Sequence, residues 1–234
     1  MKRGFTLSEV LITLGIVGVV AVLTVPSVMK NYSNRLYVSQ LQKTYAQISD
    51  AVQAIMHNEN VDNFYETTAA NPNIIKNAQT GKGTAGLALF LSEYFKVNKY
   101  DCNNNIKHCV ATGRTATDTY TSMQGQNLGP LIPILYCVQT VNGASICGLP
   151  EGDKKLNLFI DVNGPSAPNV TGRDLFLVTI RPDGTVTDFV GNSSATWTNF
   201  DSQPAAACNT GGNLITTANG CLNAVIDAGW KMEY

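Results

Sequence analysis

Between Phe5 and Val25 lie 21 residues with a single charge, Glu9, and 13 of them are Leu, Ile, Val or Phe. As a helix the run would be about 31 Å long at 1.5 Å per residue, the thickness of a bilayer core. Val and Ile are common in it, as in buried strands, but strands rarely exceed about ten residues. Lys2, Arg3 and Gly4 precede the run and Pro26 ends it. The stretch predicts a transmembrane helix.

Glu9 is the informative exception. A charge near the middle of a membrane helix costs roughly 2.5–3.5 kcal/mol, and less near an end. The 13 large apolar residues return roughly 0.3–0.6 kcal/mol each, so the helix inserts with Glu9 in place. An acid in that setting needs a counter-charge, and the apolar run supplies none. Its partner is the chain's own amino terminus, a lipid headgroup or another molecule.

The order Gly4-Phe5-Thr6-Leu7-Ser8-Glu9, then the apolar run and Pro26, resembles the class III signal of type IV pilins and type II secretion pseudopilins. The resemblance implies cleavage between Gly4 and Phe5 by a prepilin peptidase on the cytoplasmic side, followed by N-methylation of Phe5. It further implies that Glu9 neutralises the terminal amine of a neighbouring subunit in a filament. Two desolvated opposite charges then satisfy each other, whereas either alone is penalised. A cleavable secretory signal would have a shorter core and a small-residue cleavage site, and would leave Glu9 unexplained. A plain membrane anchor explains the length but neither Glu9 nor the Gly-Phe junction.

The 234 residues suit one membrane helix and one further domain. With 14% charged residues and a net charge of −1, overall electrostatics point neither to nucleic acid nor to anionic lipid. Six cysteines fall into three local pairs, Cys102 with Cys109, Cys137 with Cys147 and Cys208 with Cys221. Sequence does not choose among fifteen pairings, but proximity favours these three. None has zinc-type spacing, and an even, dispersed set implies an oxidising compartment. Lys2 and Arg3 favour a cytoplasmic start, but Lys30, Arg35 and Lys43 nearly balance them, so the outward placement of the C-terminal domain rests on the cysteines and the leader.

Tyr37, Leu41, Tyr45, Ile48, Val52 and Ile55 recur every three or four residues, so the helix continues to about His57 with one apolar face. Pro26 predicts a kink or local unwinding on the way. The expected division is a leader over 1–4, a transmembrane helix over 5–26, an amphipathic helix over 27–57 and a globular head over 58–234. Residues 58–84 and 99–129 read as loop, and Ala85–Val97 as a short helix. Strands are expected at Leu131–Val141, Ser145–Leu149, Leu156–Val162, Leu175–Arg181 and Thr185–Val190. Asn142-Gly143 predicts a type I′ turn and Pro182-Asp183-Gly184 a second hairpin. A short helical stretch follows Cys221, with Gly229 as its stop. The fold class expected is α+β, a long N-terminal helix packed on an antiparallel sheet, the pilin-like layout.

Asp161, Asn163, Gly164 and Pro165, then Pro168, Asn169, Gly172 and Asp174, form an oxygen-rich link between two strands. Calcium takes six to eight such oxygens, which makes Asp161, Asn163 and Asp174 candidate calcium ligands. The loop is not an EF-hand. The resemblance adds that major pseudopilins carry calcium in a head loop. The alternatives are a turn-rich loop whose Asp and Asn satisfy its own backbone, and a subunit contact.

No nucleophile, nucleotide or dinucleotide motif is present, and His57 and His108 lie outside any catalytic or metal pattern. The chain is therefore expected to be no enzyme and to require no cofactor, calcium aside. The resemblance implies a filament of like or related subunits, the peptidase and an inner-membrane assembly platform as partners, with the chain in a bacterial inner membrane, its head in the periplasm, and the assembled filament extracellular or periplasmic. A DNA-uptake pilin would need a basic patch, and Lys and Arg are few after Lys43. An anchored enzyme or solute-binding ectodomain would need a pocket of convergent polar groups.

Overall fold

The computed structural model describes residues 6–71, 82–102, 108–111, 118–130, 136–150, 156–189, 208 and 214–233. Contacts divide the chain into two compact units, Met1–Leu36 and Tyr37–Tyr234. Helix α1, Leu7–Glu59, runs without interruption through Pro26, so no local unwinding occurs there. By length and composition it can cross a membrane. In the first unit its large apolar side chains are exposed all round, including Leu7, Leu11, Leu14, Val22 and Leu23.

From Tyr37 onward α1 is amphipathic. Val38, Leu41, Thr44, Ile48, Ala51, Val52, Ile55 and Met56 are buried, with Tyr37 and Tyr45 packed at their margin. After two 3₁₀ turns, Phe64–Glu66 and Thr68–Ala70, helix α2 spans Gly86–Glu93. It is shorter than expected. Tyr94 caps it, and Val97 enters strand β1, Val97–Tyr100, where it pairs with Thr140.

The remaining strands are β2 Tyr120–Thr121, β3 Asn127–Gly129, β4 Cys137–Thr140, β5 Ser145–Pro150, β6 Leu156–Asp161, β7 Leu175–Ile180 and β8 Val186–Asp188. Strands β1-β4-β5-β6-β7-β8 form one antiparallel sheet in that order, and β2 and β3 form a second. Helices α3, Leu214–Ala218, and α4, Cys221–Asp227, follow. The part of the expected first strand before Tyr136 lies outside the described residues.

Side chains alternate across a strand, and both faces of β6 and β7 are covered. Leu156, Leu158, Ile160, Phe176, Val178 and Ile180 join the core shared with α1, α2 and α4. Phe159, Leu175 and Leu177 join a second core with Tyr120, Val110, Phe189 and Leu214. On that second face Thr179 donates to its cross-strand partner Asn157 at 2.6 Å, which satisfies both polar groups out of water.

The β4–β5 turn differs from expectation. A type I′ turn needs two left-handed residues. Only Gly143 is left-handed, at φ +91°, and its N–H donates to Thr140 O at 3.0 Å. Val141 and Asn142 are the central pair of an ordinary turn, and Gly143 takes the bulge position after it.

The three disulfides are Cys102–Cys109, Cys137–Cys147 and Cys208–Cys221. Cys137 and Cys147 face each other in the β4–β5 register. Cys102 N–H donates to Cys137 O at 3.1 Å, so the first two disulfides lie side by side within the second core.

Candidate functional site

Two places gather the sequence-predicted residues. The first is the start of α1. Gly4 and Phe5 lie outside the described residues. Thr6 precedes the helix, and its N–H and hydroxyl donate to Glu9 Oε2 at 2.8 and 2.7 Å. Glu9 N–H returns a bond to Thr6 Oγ1 at 3.3 Å. This reciprocal arrangement is a capping box, Thr at the cap and Glu three residues on. It satisfies donors that have no partner within the helix and sets a negative group where the helix dipole favours one. Sequence reasoning singled out Glu9 and passed over Thr6, although the T-x-x-E spacing before an apolar run was its signal.

The second place is the β6–β7 connection. Asp161 ends β6 on the second-core side and is fully buried. It accepts hydrogen bonds from the Tyr120 hydroxyl and from Asn163 N–H. Burial, then the charge of Asp174, holds its carboxyl well above the usual range, and burial likewise raises the Tyr120 hydroxyl. Asp174, just before β7, accepts the N–H groups of Asn169 and Val170. Burial pushes its pKa up to about 6 against the lowering effect of those bonds. Val162 N–H donates to Asp174 O at 2.8 Å, which brings the two ends of the loop together.

Asn163 lies on the loop, where its Nδ2 donates to Ser166 O at 2.8 Å. Its Oδ1, the Oδ1 of Asn169 and the Oγ1 of Thr171 are buried without a hydrogen-bond partner. The structure thus brings Asp161 and Asp174 together, with Asn163 beside Asp161. Among the described residues no three His, Cys, Asp or Glu side chains converge as a metal cluster. The acceptors here are two carboxylates with amide and hydroxyl oxygens, a set that suits a hard cation only. Arg173 stacks over the Tyr37 ring at 5.7 Å and its charge reaches Asp174.

Asn169-Val170-Thr171 matches the acceptor pattern for N-glycosylation, but Asn169 is buried and so is not a surface acceptor. His57 lies in the last turn of α1. Trp230 packs edge-on against Tyr45 at 5.7 Å, an anchor for the C-terminal segment.

The sequence model of the prokaryotic N-terminal methylation motif matches residues 1–25. Comparison with curated proteins and with solved structures finds no match for the chain. Residues 1–25 thus carry this methylation motif, the kind of signal found at the start of type IV prepilins, and the apolar helix that Thr6 and Glu9 cap begins within them.

Proposed function

We propose that the chain is a structural subunit of a type IV pilus-like filament or of a type II secretion pseudopilus. A prepilin peptidase cuts it between Gly4 and Phe5 and methylates Phe5. The observation that carries this reading is the methylation motif on residues 1–25 at the start of a helix whose apolar side chains are exposed on every side. Such a surface needs cover, first from lipid and then from the same helix of other subunits. Thr6 holds Glu9 while the subunit is alone in the membrane. In the filament Glu9 turns to the Phe5 amine of a neighbour, a charged partner stronger than a hydroxyl. The three disulfides support a head in the oxidising periplasm.

Intact-mass measurement of protein from its native membrane tests the reading. A species that begins at Phe5 with one added methyl is expected, and a chain that retains Met1 to Gly4 overturns it. Glu9→Val is expected to leave insertion intact and to reduce sheared filaments. Wild-type filament yield from that variant overturns the pairing.

A second reading concerns calcium at Asp161, Asn163 and Asp174. It is supported by two neighbouring buried carboxylates and the unpartnered Asn163 Oδ1. Calcium would neutralise both acids and draw the loop onto β6 and β7. A melting temperature that chelator lowers is the expected result, and one that chelator leaves unmoved overturns the reading.

A further inference from the structure

We infer that two copies of this chain meet through opposite flanks of α1, with the segment after α4 of one copy seated in a cleft of the next, a contact that rests on the filament reading above. The cleft, of about 490 Å³, lies in the second unit. The helix contributes Lys43, Gln47 and Asp50, the turn into β1 contributes Phe95 and Lys96, and the β4–β5 turn contributes Val141. Two bonds fix its walls. Val141 N–H donates to Lys96 O at 2.9 Å, and Lys43 Nζ donates to Asn142 Oδ1 at 2.9 Å. Lys43 is therefore held by a neutral amide. Lys96 and Asp50 are exposed and make no hydrogen bond or ion pair among the described residues. Two cations against one carboxylate leave the cleft positive. Val141 is 60% exposed, and among the described residues of the second unit it is the one large apolar side chain that is exposed.

The complement lies on the far flank of α1. At 100° per residue, Lys43, Gln47 and Asp50 fall within about 60° of one another, and Tyr45 points to nearly the opposite side. There Tyr45 packs edge-on against Trp230 at 5.7 Å and donates to Val186 O at 2.9 Å. The segment after α4 is thus fixed on that flank. It exposes Asp227 and Glu233 against Lys231, the reverse of the cleft's balance, and half-buried Trp230 and Met232 add apolar surface. A chain does not set this segment in its own cleft, because α1 lies between the two. A second copy does. Trp230 and Met232 of one copy meet Val141 of the next at the centre, and Asp227 and Glu233 face Lys43 and Lys96 at the rim. Such a contact is heterologous. Each copy uses both flanks, so copies add end on end, whereas an isologous contact stops at a dimer.

The test uses the full chain in its native membrane with its assembly machinery. Val141→Cys and Glu233→Cys are made singly and together. Both positions are exposed, and all six native cysteines are paired, so the added thiols are the free ones. Sheared filaments are treated with a short bis-maleimide. The doubly substituted chain is expected to give a ladder of multimers, and each single variant monomer alone. Lys96→Glu is expected to lower filament yield about threefold, since an exposed ion pair is worth little, and Glu233→Lys in the same chain to restore it. If the doubly substituted chain shears normally but stays monomeric, the copies do not meet through these flanks and the filament reading survives. Dimers from either single variant show an isologous contact and also overturn the inference, as does a yield that Glu233→Lys leaves unrestored. If wild type itself yields no filament, the filament reading falls and this contact with it.

Discussion

Asp188 shows how one side chain links distant parts of the chain. It ends β8, is 2% exposed and accepts Gly220 N–H at 3.1 Å and Asn223 N–H at 2.7 Å. It thus caps α4 from 32 residues away, in place of a cap from Gly220. Burial pushes its pKa up to about 7. The folded state therefore holds a proton more tightly than the unfolded chain, whose Asp titrates near about 4. Its contribution is complete below about pH 4 and is lost as pH rises through about 7. Melting temperature is expected to fall from pH 5 to pH 8, and Asp188→Asn to flatten part of that slope. An unchanged slope would show that Asp188 does not titrate there. Thr6 acts at the same scale. Thr6→Ala is expected to cost the start of α1 about 1 kcal/mol and Thr6→Ser little. Hydrogen exchange of the first-turn amides measures this.

Helix α2 meets β5 where Leu87 faces Gly148. A Cβ on Gly148 would lie 2.4 Å from Leu87 Cδ2 and 3.0 Å from its Cγ, so glycine permits the approach of helix to strand. Gly148→Ala is expected to destabilise by about 1–3 kcal/mol through overpacking. Because the obstacle is one side chain, Leu87→Ala in the same chain is expected to cost less than the two single changes summed. Denaturant unfolding of the four proteins in a double-mutant cycle checks this coupling. The elements were unequally legible in sequence. The β4–β8 strands are apolar or alternating runs, and the turn signals between them are local. Strands β1, β2 and β3 went unread because Val97–Tyr100, Tyr120–Thr121 and Asn127–Gly129 are short and partly polar. Partners make them strands: Val97 pairs with Thr140, and Thr121 with Asn127 and Val170.

In the whole molecule each of the three disulfides joins cysteines close in sequence, and Cys137–Cys147 crosslinks β4 to β5. Cys102–Cys109 and Cys137–Cys147 close short loops, and in the chain-entropy account each contributes about 2–3 kcal/mol. Replacing both cysteines of the Cys102–Cys109 pair with serine is expected to lower stability by about that amount. Loss should centre on the second core, where Tyr120, Val110 and Ala111 pack. Hydrogen exchange of the Val110, Ala111 and Tyr120 amides locates it. The Cys208–Cys221 bond has a further neighbour. A Cβ on Gly172 would lie 2.9 Å from Cys221 Sγ and 3.0 Å from Cys208 Sγ, so the Asp161–Asp174 loop rests against this disulfide.

The first 25 residues needed no fold to be read. Their message is length, apolarity and one acid at a fixed distance from a Gly-Phe junction, all of them local properties of the chain. The apolar face of α1 and the positions of most strands were equally local, because periodicity of 3.6 or 2 is written in consecutive residues. Only the tertiary structure decided what the polar residues do. It set Asp161 under Tyr120, turned Asp174 onto the backbone of Asn169 and Val170, and sent Asp188 to α4. An Asp carries the same formula in a solvated turn and in a sealed core. Its partners and its exposure to water, which set its charge, come from segments that sequence alone does not place beside it.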